Sequence, residues 1–263
     1  MDAYEVLLAA RDKNRPKVTD FFDHLFTDFL ELRGDRNSGE DPAILGGIAF
    51  FEDRPVTVIG HRKGKGLDEN IRCNFGMPGP QGYRKAARLM KDAERFGRPV
   101  ITFIDTPGAY PGKQAEENGQ SAAIAENLAL MSGLKVPIIC VVTGEGCSGG
   151  ALAIGVGDRL IMLEKAVYSV LSPEGMASIL WKDSSKVEEA CGCMKMTAED
   201  LYAQGIADEI IKEKKFSDPD DFDYETLRRS IARNLRKLEK NDIDVLLKNR
   251  YEKYRTVGRC IYV

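Results

Sequence analysis

The sequence predicts an α/β fold with helical segments at both ends. Three observations carry the prediction. Apolar runs of strand length alternate with stretches whose apolar residues recur at helical spacing, the pattern of a sheet covered by helices. Two consecutive runs, 100–105 and 138–142, each end in a glycine-rich segment followed by a helical stretch. In such sheets a ligand sits beyond the carboxyl ends of the strands, so the two segments are expected side by side over one site. The chain ends, finally, read as amphipathic helices.

Each element has its own signal. In TDFFDHLFTDFLELRGD, residues Phe21, Phe22, Leu25, Phe26, Phe29 and Leu30 form a stripe at helical spacing, with Thr19 or Asp20 as cap and Gly34 as stop. AILGGIAFF and RPVTVIGHRKG follow as two strands, joined by Glu52-Asp53-Arg54 at hairpin spacing. A polar loop runs to NFGMPGPQG, and YRKAARLMKDAERFG is an amphipathic helix. PVITFID is a strand, TPGAYPG its loop and EENGQSAAIAENLALMSG an alanine-rich helix. VPIICVV is the next strand, with TGEGCSG as loop and GALAIGV as a short helix. RLIML and AVYSVLS are strands, and Pro173-Glu174-Gly175-Met176 begins another helix. DPDDFDY is an acidic linker before two charged helical stretches, ETLRRSIARNLRKLEK and DIDVLLKNRYEKY. The division expected is an N-terminal helical segment, 1–37, a core, 38–215, and a C-terminal helical segment, 216–263, within one domain.

Composition narrows the function classes. With 38 basic and 41 acidic residues the net charge is -3, which argues against a general nucleic-acid binder. No apolar stretch reaches the ~18 residues that span a bilayer, and MDAYEVLLAARDKNRP has no signal-peptide core. The cysteines, Cys73, Cys140, Cys147, Cys191, Cys193 and Cys260, include no CxxC pair and read as reduced thiols of a cytoplasmic protein. Cys191-Gly-Cys193 is a weak metal signal, and with His24 and His61 as the only histidines no metal site is expected.

The segment TGEGCSGGALA, Thr143–Ala153, holds four glycines in eleven residues. Gly144, Gly146 and Gly149 spell GxGxxG, but a dinucleotide site usually opens the first βα unit, and this one follows another glycine-rich turn. DTPG at 105–108 resembles a GTPase motif, yet no phosphate-binding GxxxxGK[ST] exists. The GxSxG elbow is out of frame at Ser148, and neither Ser148 nor Cys147 has an evident base as partner. What Ser148-Gly149-Gly150 can do is open a helix. The first N–H groups of a helix lack internal partners and sit in its positive potential. Without side chains, an acyl oxygen can approach them, as in an oxyanion hole. Close packing of helix on sheet is the competing explanation. DTPGAYPG offers further backbone donors from the neighbouring strand.

Long runs carry a resemblance: GDR at 34–36, NFGMPGPQGYRKA at 74–86, AERFGRPVITFIDTPGAYPG at 93–112, GEGCSGGALAIGVGD at 144–158, YSVLSPEGMASILW at 168–181 and TAEDLYAQGIADEII at 197–211. Over about residues 1–255 the chain closely resembles the alpha-subunit family of bacterial acetyl-coenzyme A carboxylase carboxyltransferase. That resemblance implies a crotonase-like superhelix of repeated ββα units. It implies transfer of a carboxyl group from carboxybiotin, on a biotin carboxyl carrier protein, to acetyl-CoA, giving malonyl-CoA for fatty acid synthesis. It also implies an α2β2 heterotetramer with a beta subunit that bears the zinc ribbon, and ATP use only by a separate biotin carboxylase. Carried onto this sequence, the N–H groups of Gly149 and Gly150 hold the biotin oxygen, and Gly108, Ala109, Tyr110 and Gly146 shape the substrate pocket. Lys63, Lys65, Arg72, Arg84 and Lys85 form a basic cluster for CoA phosphates or the carrier, or simply a solvated loop, while Tyr168 and Trp181 read as core or interface. The chain departs from the family pattern at Cys147, where glycine is expected, at Lys113 and Gln114, and in a short N-terminal extension. The alternative is a stand-alone crotonase-fold acyl-CoA hydrolase or isomerase, with Glu145 as its acid or base.

Overall fold

A computed structural model describes residues 1–214 and 218–258, so the expectation for Cys260 lies outside the described residues. Near the start, Ala3–Ala10 (α1) is capped by Asp2, whose carboxylate accepts the Glu5 N–H at 2.8 Å. Val18–Leu25 (α2) follows, with the Asp20 carboxylate reaching back to the Lys17 N–H at 2.8 Å. The expected helical stripe is divided here. Phe26 turns extended, and Thr27–Glu31 (β1) pairs with the next strand, so Phe29 and Leu30 belong to a strand rather than a helix. Strand pairing overrides the local period. The Phe22 and Phe29 rings still meet, 5.0 Å apart, within the same aromatic cluster.

Ile44–Phe51 (β2) and Arg54–His61 (β3) form the expected antiparallel hairpin. Glu52 and Asp53 both take positive φ, 45° and 50°, as the two-residue turn that matches strand twist requires. Leu67–Arg72 (α3) and Pro80–Arg95 (α4) precede the buried Val100–Thr106 (β4). Lys113–Glu117 (α5) and Gln120–Gly133 (α6) are separated at Gly119, whose φ is 83°.

Ile138–Cys147 (β5) is longer than the sequence suggests. The TGEGC expected as loop continues the strand, fully buried, because its glycines admit neighbours. A Cβ on Gly144 would stand 2.5 Å from the Asp105 carboxylate, and one on Gly146 2.5 Å from the Tyr168 ring. Ser148–Leu152 (α7) then starts two residues earlier than GALAIGV implied. Arg159–Leu163 (β6), Val167–Ser169 (β7), Pro173–Trp181 (α8), Val187–Met194 (α9), Ala198–Ala203 (α10) and Glu209–Ile211 (β8) follow. Tyr224–Leu238 (α11) and Ile243–Thr256 (α12) close the described chain.

The strands form one mixed sheet, ordered β1-β2-β3-β4-β5-β6-β8, with β7 on the far end of β5. The hairpin is antiparallel and the ladders from β3 to β8 are parallel. Parallel strands covered on both faces read as continuous apolar runs, which is how β4 and β5 look in sequence. The main core joins α2, α4, α11 and these strands. Arg250 fastens α12 to it from a fully buried position. Its guanidinium grips Asp158 twice at 2.8 Å and donates to the carbonyls of Met131, Leu134 and Val136. Among the described residues, no helix is long and apolar enough to cross a membrane.

Candidate functional site

β5 ends in an abrupt turn into α7. Ser148 makes it alone, with φ of 59° in the left-handed region, and its side chain is exposed. No side chain caps α7, so its leading N–H groups keep their unpaired donors. Gly149 and Gly150 sit in this first turn, as expected, but their missing side chains have different causes. A Cβ on Gly150 would overlap the Ala109 nitrogen and stand 2.6 Å from Gly108 C and 2.9 Å from Tyr83 Oη. Gly150 therefore lets the two glycine-rich segments touch. A Cβ on Gly149 would meet only Ile124, at an ordinary 3.6 Å. Packing does not require a glycine there.

Gly108 and Ala109 are brought against this turn from the end of β4. Gly108 has φ of 141°, which favours glycine, and its N–H donates to Thr106 Oγ1 at 3.0 Å while that hydroxyl donates to the Gly108 carbonyl at 2.8 Å. Tyr110 is partly exposed, and its backbone N–H donates to the Pro78 carbonyl at 2.9 Å. Gly146 lies within β5, and the Tyr168 ring accounts for its lack of side chain.

In front of Gly149 opens a largely apolar groove of about 530 Å³. Ser148, Gly149, Leu152, Tyr168, Met194 and Tyr254 of α12 are among the residues that line it, and Gly108, Ala109, Tyr110, Gly146 and Gly150 are not. The Tyr254 hydroxyl accepts the Gly157 N–H at 2.8 Å, which holds that side chain in place.

On β4 and β5 the same strand ends carry a buried polar network. Asp105 Oδ1 accepts from Lys63 Nζ at 2.6 Å and from the Glu145 N–H at 3.0 Å. Burial pushes the Asp105 carboxyl up, but Lys63, Lys17 and the Glu145 N–H outweigh it and leave it below the usual carboxylate range. Glu145 is buried and gripped by Arg11 at 2.6 Å, and Arg11 also holds Glu174 at 2.6 Å. A carboxylate so engaged is poorly placed as an acid or base. Burial likewise pushes the Cys147 thiol up to about 11, away from a nucleophile's range.

The basic cluster does not act as one patch. Lys63 is spent on Asp105, Arg84 on Asp35 at 2.9 Å, and Lys85 is fully buried against Glu40 and the carbonyls of Asp41 and Ile44. Lys65, on Asp20 at 2.5 Å, and Arg72, 3.7 Å from Glu69, keep side chains 60% and 65% exposed. Trp181 is half-buried on α8. Among the described residues no group of three His, Cys, Asp or Glu side chains could hold a metal ion.

The topology also delivers residues that spacing could not flag. His61, at the end of β3, is fully buried beside the Gly150 backbone. Burial pushes its imidazole down to about 4, against the pull of Asp105, so the ring is neutral near pH 7. Tyr83, Asp105 and Arg11 arrive from three further elements, each far in sequence from Gly149.

The family described as acetyl co-enzyme A carboxylase carboxyltransferase-like matches residues 1–258. The acetyl-coenzyme A carboxylase carboxyl transferase subunit alpha of Geobacillus sp. (strain WCH70) is 56% identical over 255 residues, 96% of this chain and 78% of that protein. Among solved structures, a transcarboxylase 12S with methylmalonyl-coenzyme A bound superposes with a TM-score of 0.70 at 23% identity, covering 86% of this chain and 42% of that one. A Pseudomonas malonate decarboxylase hetero-tetramer in complex with coenzyme A gives a TM-score of 0.67 at 17% identity, covering 81% and 86%. At such identity these two likenesses speak for the fold, which is the expected crotonase-like one. With more than half its residues shared with a curated relative along almost its whole length, the chain belongs to the acetyl-coenzyme A carboxylase carboxyltransferase alpha-subunit family.

Proposed function

We propose that this chain is the biotin-receiving half of an acetyl-CoA carboxylase carboxyltransferase. The reaction passes a carboxyl group from carboxybiotin, held on a biotin carboxyl carrier protein, to acetyl-CoA, and yields malonyl-CoA. Family membership supports the reaction class. The observation that carries the site is Gly149, a bare position that packing does not require, with unpaired N–H groups beside it and an apolar groove before it.

The residues present fit the bicyclic ring of biotin, whose sulfur-containing ring is apolar like the Leu152, Tyr168 and Met194 lining and whose ureido oxygen is a strong acceptor for backbone N–H groups. Bound there, carboxybiotin supplies the carboxyl group and the ureido oxygen. The N–H groups of Gly149 and Gly150 hold that oxygen and stabilise charge developing on it, without any side chain having to move. A donor of this kind contributes about 3 kcal/mol to a transition state. Gly108 and Ala109 back the turn at Gly150, and Leu152, Tyr168 and Met194 exclude water from the groove, which strengthens every dipole in the site. Tyr110 faces a separate hollow, lined also by Asn74 and Gly79, and Gly146 contributes only by admitting the Tyr168 ring that lines the groove. Of the basic residues, Lys65 and Arg72 retain the exposure that contact with CoA phosphates or the carrier needs. The acyl-CoA is held mainly by a beta subunit, in an α2β2 assembly working in the cytoplasm, and ATP is consumed only by a separate biotin carboxylase.

The test is the reverse reaction, malonyl-CoA plus a soluble biotin derivative followed for acetyl-CoA, with this chain alone and with its co-expressed beta subunit. Turnover that needs both beta and biotin is expected. Biotin-independent turnover by the single chain would establish instead a stand-alone crotonase-fold acyl-CoA hydrolase or isomerase, a reading that the capture of Glu145 by Arg11 disfavours.

A further inference from the structure

β4 and β5 run in step from Val100↔Ile138 to Ile104↔Val142, and they pair again at Thr106↔Gly146. Between these pairs β4 has one residue, Asp105, and β5 has three, Thr143, Gly144 and Glu145. The break falls where β5 also changes neighbour on its other edge, from β6 at Val142↔Met162 to β7 at Glu145↔Val167. All three residues of this bulge are buried. A bulge next to a functional site re-aims the strand that carries it. Here the strand runs on through Gly146 and Cys147 directly into the Ser148 turn and the Gly149 and Gly150 donors.

Backbone groups buried in a bulge lose regular ladder partners and need others. Side chains supply them. The Glu145 N–H donates to Asp105 Oδ1 at 3.0 Å, and Arg15, fully buried against Glu213, donates through Nε to the Thr143 carbonyl. The Thr143 hydroxyl donates to the Ile104 carbonyl at 3.3 Å. Gly144 leaves open the space that the Asp105 carboxylate occupies, since a Cβ there would stand 2.5 Å from Oδ1 and 2.8 Å from Cγ. Asp105 is the residue of β4 that faces the bulge, and its side chain takes a donor that a regular ladder would pair with main chain.

We propose that Asp105 is a positioning residue, which by accepting the Glu145 N–H fixes the path of the β5 bulge and so the place of the Gly149 and Gly150 N–H groups just beyond it. Without that acceptor the Glu145 N–H is a buried, unpaired donor, and the bulge regains a partner only by shifting against β4. Such a shift carries Gly146, Cys147 and the start of α7 with it, because they continue the same strand. The acceptor atom matters here rather than the charge. Asp105 Oδ1 takes both the Glu145 N–H and Lys63 Nζ, and the carbonyl oxygen of an asparagine can take the same two donors. This deepens the carboxyltransferase reading and rests on it.

The experiment compares wild type, Asp105→Ala, Gly144→Ala and Asp105→Asn, each co-purified with the beta subunit, in the exchange of malonyl-CoA with a soluble biotin derivative. Asp105→Ala removes the acceptor, and Gly144→Ala keeps it on the chain but pushes it off the Glu145 N–H. Both are expected to lower kcat about a hundredfold, the scale of a misplacement of about 1 Å, with the KM for malonyl-CoA unchanged. Asp105→Asn loses the same charge as Asp105→Ala and is expected to keep most of the wild-type kcat. Wild-type kcat in a folded Asp105→Ala or Gly144→Ala complex overturns the proposal. So does a loss in Asp105→Asn as deep as in Asp105→Ala, because the charge beside Lys63 would then be what counts. Failure of both alanine variants to assemble overturns it too, since Asp105 would then serve the fold alone. If the wild-type complex itself shows no biotin-dependent exchange, the carboxyltransferase reading fails first and takes this one with it.

Discussion

At the scale of single residues, adjacent glycines differ in what the fold requires of them. Gly150 is bare because Ala109 and Tyr83 occupy the space of its side chain, and Gly149 is bare with only Ile124 near. Gly149→Val is therefore expected to leave the complex folded and assembled while lowering turnover by about a hundredfold or more, the usual effect of losing an oxyanion donor. Gly150→Ala should instead cost about 1–3 kcal/mol of stability through overpacking, visible as a lower melting temperature. Normal turnover in a folded Gly149→Val complex would sink the oxyanion assignment. The sequence shows that glycines gather here, and helix-end physics says what they can do. It cannot show which glycine serves which purpose, since the neighbours that decide it come from α4, α6 and the end of β4. His61, Tyr83 and Arg11 were invisible for the same reason. A histidine remote in sequence looks unrelated to a glycine turn until parallel pairing of β3, β4 and β5 aligns their ends.

At the scale of elements, local chemistry decides where the chain turns and tertiary pairing decides where it does not. The β2–β3 hairpin was legible because its two turn residues sit between two strand-like runs. The N-terminal stripe misled because Phe29 packs on Phe22 from a strand as well as it could from a helix. The glycines of TGEGC look like a loop, but their backbones are strand and their bareness admits Asp105 and Tyr168. α12 is the element most open to test. Its charged sequence reads as a solvated helix, yet Arg250 is fully buried and Tyr254 walls the groove. Replacing Arg250 by alanine strands Asp158 as a buried, unpaired carboxylate and frees three carbonyls. Breaking a buried pair from one side costs about 3–5 kcal/mol. Arg250→Ala should thus lower the melting temperature by roughly 10 °C. Thermal unfolding of the two proteins side by side measures it, and a shift near zero would mean that α12 is held by something other than this anchor.

At the scale of the whole molecule, both ends of the chain are tied into the core behind the groove. α1 delivers Arg11 to Glu145 on β5, and the Val6–Leu7–Ala10 face of α1 packs on Val167, Cys191 and Met196. α11 places Leu227, Ile231 and Leu235 in the same core cluster as the strands, and α12 supplies part of the groove's lining. Three segments that differ in composition thus share buried surface, and none can leave without exposing the others' apolar residues. Shared burial of this kind makes unfolding cooperative. The prediction is a single transition, with calorimetric and van't Hoff enthalpies in agreement. Fluorescence of Trp181, the only tryptophan, should follow the same curve as backbone dichroism. It is a searching probe, because Trp181 sits at the end of α8, the helix that Arg11 ties to β5 through Glu174. If the fluorescence change preceded loss of helix, the segment behind the groove would be a separately melting unit. The bond from α1 through Arg11 would then be too weak to join the chain's beginning to its site.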